Sequence, residues 1–449
     1  MKTMNEISKR VNPLKAAVLQ LCCLAAGVLG CPADMQGQVT IEQCMSLARD
    51  NYPQIKQLNL IEESARYDIS AISKSWLPHI NISGKATYQS DVVEMPFDIP
   101  GFSFNLPHDQ YSLIGEISQT IWDGGTSKSQ KQISNAGAEV QKNQVEVSVY
   151  SINDRVAKIY LGILLIDSQL RQNEILEDRL ERNARQAQAC IENGVAYKTD
   201  LDMIKVNMLN CEQQKEGLLT DRAAYVAMLE KLIGRSIEGQ DLIVPDETYL
   251  ESPAEITRPE LGLYQAQIMQ NEAQVHQLDS KISPKFSLSL QGGVGRPGLN
   301  ILKNSFQPYY TAGIKMSWDI GALYTRKNEK QKLDAQLRTI ESDKETFIFN
   351  TRLNATQMTG EIEKARNLLG KDKEIIELQE SIRAAGEEQY RNGTISMTDL
   401  MDRIGDEHDA KVAESIHTIQ LLMAIYDLKN CIGYGNMKRN DPTQNTMLK

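Results

Sequence analysis

The sequence predicts a mixed α/β membrane protein built by internal duplication. Long α-helical coiled coils carry four strands per chain, and the strands contribute to a barrel shared between chains. Three observations predict this. A turn-and-helix signature occurs twice, as Asn193-Gly194 with Thr199-Asp200-Leu201 and as Asn392-Gly393 with Thr398-Asp399-Leu400. The two copies lie 199 residues apart, from Gly194 to Gly393, without a gap, and a repeat of this kind organises the reading of everything else. Within each copy the apolar period also switches from helical to two-residue and back. The chain opens, finally, on a segment of export type.

Composition narrows the class. The 449 residues contain 41% hydrophobic, 24% charged and only 6% aromatic residues, a balance that favours long helices over one large globular core. A net charge of −10 argues against nucleic acid, because phosphate binding needs a basic face. The seven cysteines and five histidines show no zinc spacing. No nucleophile–base or paired-carboxylate arrangement points to catalysis, so neither an enzyme nor a cofactor is expected.

In order, Lys2, Lys9, Arg10 and Lys15 form a positive region before the apolar run Ala16 to Leu29, which is too short to span a membrane. Residues 1–33 read as a signal peptide with cleavage near Ala33. Alternatively, Val28-Leu29-Gly30-Cys31 is a relaxed lipoprotein site, residues 1–30 are removed and Cys31 carries lipid. The first repeat covers 39–234. It starts with a helix from Val39 to Trp76, capped by Thr40 with Gln43 and stopped by Pro78. Ile80, Ile82, Gly84, Ala86 and Tyr88 then alternate with polar residues, as do Leu113, Gly115, Ile117 and Ile121, giving hairpin strands within 79–122. A proline-free helix runs over 126–191, with Val145, Val149, Ile152, Val156, Ile159, Ile163, Ile166 and Leu170 at coiled-coil spacing. Gly194 ends it. A helix over 199–234, capped by Thr199 or Asp200, closes the repeat.

A linker over 235–257 precedes the second repeat, 258–433. Its helix reaches Ile282, strands lie within 285–319, a long helix covers 322–390 and a last helix 396–433. Trp318-Asp319-Ile320-Gly321 mirrors Trp122-Asp123-Gly124-Gly125, and Ile432-Gly433 mirrors Ile233-Gly234. Residues 434–449 form a polar tail.

The strands pose the physical problem. A lone hairpin is marginal in water, and four strands cannot close a barrel. Apolar-out, polar-in strands with aromatics at their ends, in an exported chain, suggest an outer-membrane barrel shared among chains. Two chains would supply 8 strands and three would supply 12, the latter wide enough for a lumen.

The duplication, the two Trp-Asp-x-Gly ends and the two Asn-Gly turns together resemble the TolC-like outer-membrane channels of drug efflux and type I secretion, across nearly the whole mature chain. The resemblance implies a homotrimer, a 12-stranded outer-membrane barrel and an α-helical tunnel through the periplasm. That tunnel docks on a periplasmic adaptor and an inner-membrane pump. It implies a pore constriction of aspartate rings at Asp399 and Asp402, with cation preference and carboxylate pKa values raised by like charge. For Asp399 the alternative is a helix N-cap. It implies a latch role for Tyr390 and Asp200, although Ile395 stands where the family has a basic residue. It also implies adaptor contact at Gly194, Val195, Gly393 and Thr394. The first repeat departs from the pattern, with Asp202 on a different face. The rival reading is a periplasmic coiled-coil adaptor or scaffold without a pore.

Other signals are set aside. Gly293-Val-Gly295-Arg-Pro-Gly298 spells a dinucleotide fingerprint, but no helix follows and Pro297 spoils the turn. Asp406-Glu407-His408-Asp409 reads as a solvated helix face rather than a metal cluster. Cys44, Cys190, Cys211 and Cys431 read as buried small apolar residues, with a Cys44–Cys431 bridge as the alternative.

Overall fold

The computed structural model describes residues 38–92, 107–194, 196–246 and 255–433. The signal segment with Cys31, Val195, part of the linker and the polar tail lie outside the described residues. In chain order the elements are β1 (Gln38–Val39), α1 (Ile41–Asn51), a 3-10 turn (Pro53–Lys56), α2 (Gln57–Lys74), β2 (His79–Tyr88) and β3 (Asp109–Trp122). Then come α3 (Thr126–Tyr150), α4 (Ile152–Glu192), α5 (Lys198–Ile233) and β4 (Asp241–Leu242). The second repeat supplies α6 (Pro259–Lys281), β5 (Lys285–Arg296), β6 (Gln307–Ser317), α7 (Ala322–Arg391) and α8 (Met397–Ile432).

Two long helices differ from the sequence reading. The segment expected as one helix from Val39 to Trp76 breaks after Asn51, where Tyr52 is extended at φ −66° and ψ 126°. The cause is Pro53, whose ring drives the preceding residue out of the helical region. The helix expected over 126–191 is interrupted for one residue at Ser151, which keeps near-helical angles, φ −61° and ψ −15°, so its direction continues into α4. Thr40 does cap α1, in a reciprocal box with Gln43: each backbone N–H meets the other's side-chain oxygen, at 3.2 and 3.3 Å.

The strands form one antiparallel sheet in the order β2-β3-β5-β6. The register sorts its faces. Ile80 pairs with Ile117, which pairs with Leu290, which pairs with Ala312. Two rows along on the same face, Gly84, Leu113, Val294 and Pro308 line up in the same way. Paired residues point to the same side, so one face is mostly apolar, interrupted by Gln119 opposite Leu288 and by Arg296 opposite Tyr111. The alternate rows, such as Asn81, Glu116, Gln291 and Thr311, make the other face polar. The apolar side chains are exposed, Ile82 at 73% and Ile314 at 73%, and among the described residues the outer edges of β2 and β6 have no partner strand. Among the described residues, no helix is long and apolar enough to cross a membrane.

The Trp-Asp-x-Gly ends have a local cause. Asp123 accepts from the N–H groups of Gly125 (2.9 Å) and Ser127 (2.7 Å), and Asp319 accepts from that of Ala322 (3.3 Å). Each aspartate closes a strand and satisfies orphan donors at the start of a long helix.

The helices pair as α4 with α5 and α7 with α8, and the two pairs join along α4 and α8. The predicted seam of α3 and α4 is buried from Val145 to Ile166. Most of it meets α1, the C-terminal end of α5 and Ile419, Leu422 and Tyr426 of α8 in the largest core. There Tyr160 is fully buried, its hydroxyl lying 2.5 Å from the Val39 carbonyl and 2.9 Å from that of Ile243. It ties α4 to the β1–β4 pair. A second core packs Leu180, Ala187, Ile204, Leu400 and Ile404 near the two Asn-Gly turns. Cys44, Cys190, Cys211 and Cys431 are free thiols, so the alternative of a Cys44–Cys431 bridge is corrected. Cys44 sits in the largest core, while Cys431 faces the Thr351 carbonyl at 3.5 Å.

Candidate functional site

The two Asn-Gly turns are built alike. Asn193 and Gly194 donate to the carbonyls of Ala189 and Ile191, and Asn392 and Gly393 donate to those of Glu388 and Tyr390. Gly194 has φ +74° and Gly393 φ +70°. A Cβ added at either would meet nothing within 4 Å, so the left-handed backbone alone selects glycine. Thr394 donates from both its N–H and its hydroxyl to the Gln389 carbonyl, each at 2.9 Å. Gly194, Gly393 and Thr394 are exposed at the ends of their helix pairs.

Two expected caps shift by a few residues. The N-cap of α8 is Ser396, not Asp399. Asp399 stands three residues on and completes a capping box. Its carboxylate accepts from the Ser396 N–H (3.0 Å) and hydroxyl (2.6 Å), while its own N–H donates to the Ser396 Oγ (3.2 Å). The hydrogen bonds from Ser396 hold the Asp399 carboxyl below its ordinary range. In the first repeat Tyr197 occupies the N-cap position, and Asp200, rather than capping, accepts from the Tyr197 N–H at 3.2 Å. Asp399 and Asp402 are both exposed, while Leu400, Met401 and Ile404 between and beyond them are buried. The two carboxylates therefore share the outward face of one helix. Asp202 is exposed on α5, beside Met203 and Val206.

Tyr390, half-buried, packs with Ile395 against Met397 and Leu400. Burial first, then the Asp200 charge, push its phenol above the ordinary value. The structure thus brings Tyr390 and Asp200 near one another, and among the described residues no hydrogen bond joins them. Ile395 supplies apolar contact to this core.

The sequence reading missed the most buried charge. Glu407 is 1% exposed, where the run from Asp406 to Asp409 was read as solvated; Asp406 and Asp409 are exposed, and His408 is half-buried. Arg179 of α4 meets the Glu407 carboxylate at 2.9 Å, Lys411 meets it at 2.7 Å, and the Arg383 Nε of α7 also donates to it. Lys411 reaches Glu380 as well (2.6 Å), and Arg383 reaches Glu387 (2.8 Å). Burial pushes the Glu407 carboxyl up, but the bond from Lys411 and the charges of Arg179, Lys411 and Arg383 outweigh it and hold the group low. This hub joins the first repeat to the second. The available signal was periodicity: Leu400, Ile404, Glu407, Lys411, Ser415 and Ile419 follow one seam, and its middle members are polar.

Ser396→Ala tests the capping box. The expected loss is about 1 kcal/mol, read as a lower urea midpoint. The Asp399 carboxyl should also titrate at higher pH, read by carbon-13 chemical shift.

Residues 44–235 match the family model described as outer membrane efflux protein. No curated protein matches the sequence. Among solved structures, the chain is similar to the Campylobacter jejuni CmeC outer membrane channel at 15% identity, covering 91% of this chain and 88% of that one with a TM-score of 0.62. It is similar to the open state of the Neisseria gonorrhoeae MtrE outer membrane channel at 14% identity, 88% of each chain and a TM-score of 0.62. The Vibrio cholerae outer membrane protein VceC matches at 12% identity, 88% of this chain and 95% of that one, with a TM-score of 0.58. The arrangement of long helices and strands is the fold of these channels.

Proposed function

We propose that this chain, of which residues 44–235 match the outer membrane efflux protein model and whose fold is that of solved outer-membrane channels, is a TolC-like efflux channel and acts as one third of a homotrimeric conduit. The conduit carries substrates from an inner-membrane pump and a periplasmic adaptor to the exterior. The observation that carries the reading is the sheet: four strands with one mostly apolar face, one mostly polar face and, among the described residues, two unpaired edges. Alone in water such a sheet is unsatisfied on its apolar face and along both edges. Three copies supply the strands of a closed barrel whose apolar side meets lipid and whose polar side lines a lumen. The helix pairs continue the wall into the periplasm, and the Asn-Gly turns form its far end.

At that end, Asp399 and Asp402 of three chains form the pore constriction, since both face outward from the packed side of α8. Tyr390 and Asp200 act in the latch, supported by their proximity. Gly194, Val195, Gly393 and Thr394 meet the adaptor. Cys31 is the lipid attachment point if the shorter signal is the one cleaved. Conductance of the purified protein in planar bilayers tests the function. The expected result is cation-selective channels blocked by divalent cations, with the block at least tenfold weaker in an Asp399→Ala/Asp402→Ala variant, since like charges at one axis concentrate counter-ions. Protein that never conducts, in either form, would overturn the channel. Conductance and block unchanged by the two substitutions would overturn the constriction alone.

A further inference from the structure

Between α4 and the α7–α8 pair lies a cavity of about 270 Å³, several times the about 30 Å³ that a water occupies in the liquid. Four guanidinium groups line it, from Arg179, Arg182, Arg383 and Arg391, against the single lining carboxylate of Glu387. Each guanidinium carries five donors in a planar fork. Arg179 gives one to Glu407, Arg383 is shared between Glu407 and Glu387, and Arg391 gives one to Glu388. Arg182 has no acceptor among the described residues. A second, independent observation comes from Asn183 in the same wall: its Nδ2 is buried and has no hydrogen-bond partner. A buried donor left unmade costs about 1–3 kcal/mol, and such a group calls for a ligand or water to explain it.

We infer that this cavity is a binding site for a small multivalent oxyanion of the phosphate or carboxylate class. Guanidinium forks match two oxygens of such a group at once, and donors here outnumber acceptors. Arg179 and Arg182 come from the first repeat and Arg383 and Arg391 from the second, so the bound anion bridges the two helix pairs above the Glu407 hub. It uses spare N–H groups and leaves the hub intact, because withdrawing a partner from a buried carboxylate costs more than a solvent-accessible anion returns.

The test is calorimetric titration of the full-length protein in detergent with inorganic phosphate and with citrate. Ionic strength is held constant with sodium chloride. Saturable binding of either anion, one per chain, is the expected result, and the anion that binds more tightly sets the ligand class. An Arg182→Gln/Asn183→Leu variant, which leaves the Glu407 partners in place, should weaken binding by at least about tenfold, the equivalent of one charge-assisted hydrogen bond. Its unfolding midpoint without anion reports whether the fold is kept. If the variant unfolds early, Arg391→Gln serves in its place with the same expected loss. The site is overturned if neither anion binds saturably or if binding survives the substitutions in folded protein.

Discussion

Glu407→Gln should destabilise the protein by about 3–5 kcal/mol at neutral pH, the effect of breaking a buried ion cluster by removing one partner. The loss arises because Arg179, Arg383 and Lys411 would be left converging on a neutral amide in a site that is 1% exposed in the native chain. The pH dependence has a definite sign. The carboxyl is held below its ordinary value in the folded chain, whereas in the unfolded chain it titrates near about 4.3. Its stabilisation is therefore fully present above about pH 4.3 and drains away as pH falls through the lower folded value. Urea denaturation from neutral pH down to pH 3 checks this. The native protein should lose stability over that range by an increment that the Glu407→Gln variant lacks. Asp406→Asn is the control: Asp406 neighbours Glu407 but is exposed, so its midpoint should move by less than about 0.5 kcal/mol. Equal effects at 406 and 407 would mean that the cluster does not hold the helix pairs together.

The fold was legible where local chemistry and global organisation agree. The period switches marked strands because a sheet with one apolar face imposes a two-residue rhythm, and the observed pairing keeps Ile80, Ile117 and Leu290 on one side. Gly194 and Gly393 were legible because only a left-handed residue ends these helices so tightly. Pro53 stands inside the apolar pattern read as one helix from Val39 to Trp76, and the pattern alone does not register the break that its ring imposes on Tyr52. The caps at Ser396 and Tyr197 escaped because several polar residues precede each helix. Only the backbone decides which of them stands at the boundary and which at the third position. Glu407 escaped for a different reason. Aspartate, glutamate, histidine and aspartate in a row look solvated by composition, and burial of the glutamate depends on Arg179, 228 residues away in sequence. No local rule reaches across that separation. Likewise, whether Asp399 and Asp402 face a shared axis is decided between chains, beyond what one chain's periodicity expresses.

A single arginine on the sheet should separate its two faces. Leu290 sits in the apolar row between Ile117 and Ala312, while the adjacent Ser289 sits in the polar row between Ser118 and Gly313. If the apolar face meets lipid, Leu290→Arg places a charge in hydrocarbon at about 2–4 kcal/mol per chain near the midplane, and a trimer incurs it three times. Ser289→Arg points the same charge to the polar face, where water solvates it. The expected outcome is that Leu290→Arg abolishes the assembled, membrane-inserted form. Ser289→Arg should leave most of the protein assembled and change ion selectivity by adding positive charge to the lumen. Fractionation with heat-dependent electrophoretic mobility reads the first effect, and bilayer reversal potentials read the second. The comparison is internal to one strand, so expression level, strand propensity and arginine itself are common to both arms. Only the face differs. Tolerance of arginine at 290 together with loss of assembly at 289 would invert the barrel, placing the apolar face inside. Equal tolerance at both positions would mean that the sheet never enters a bilayer, and the channel reading would fall with it.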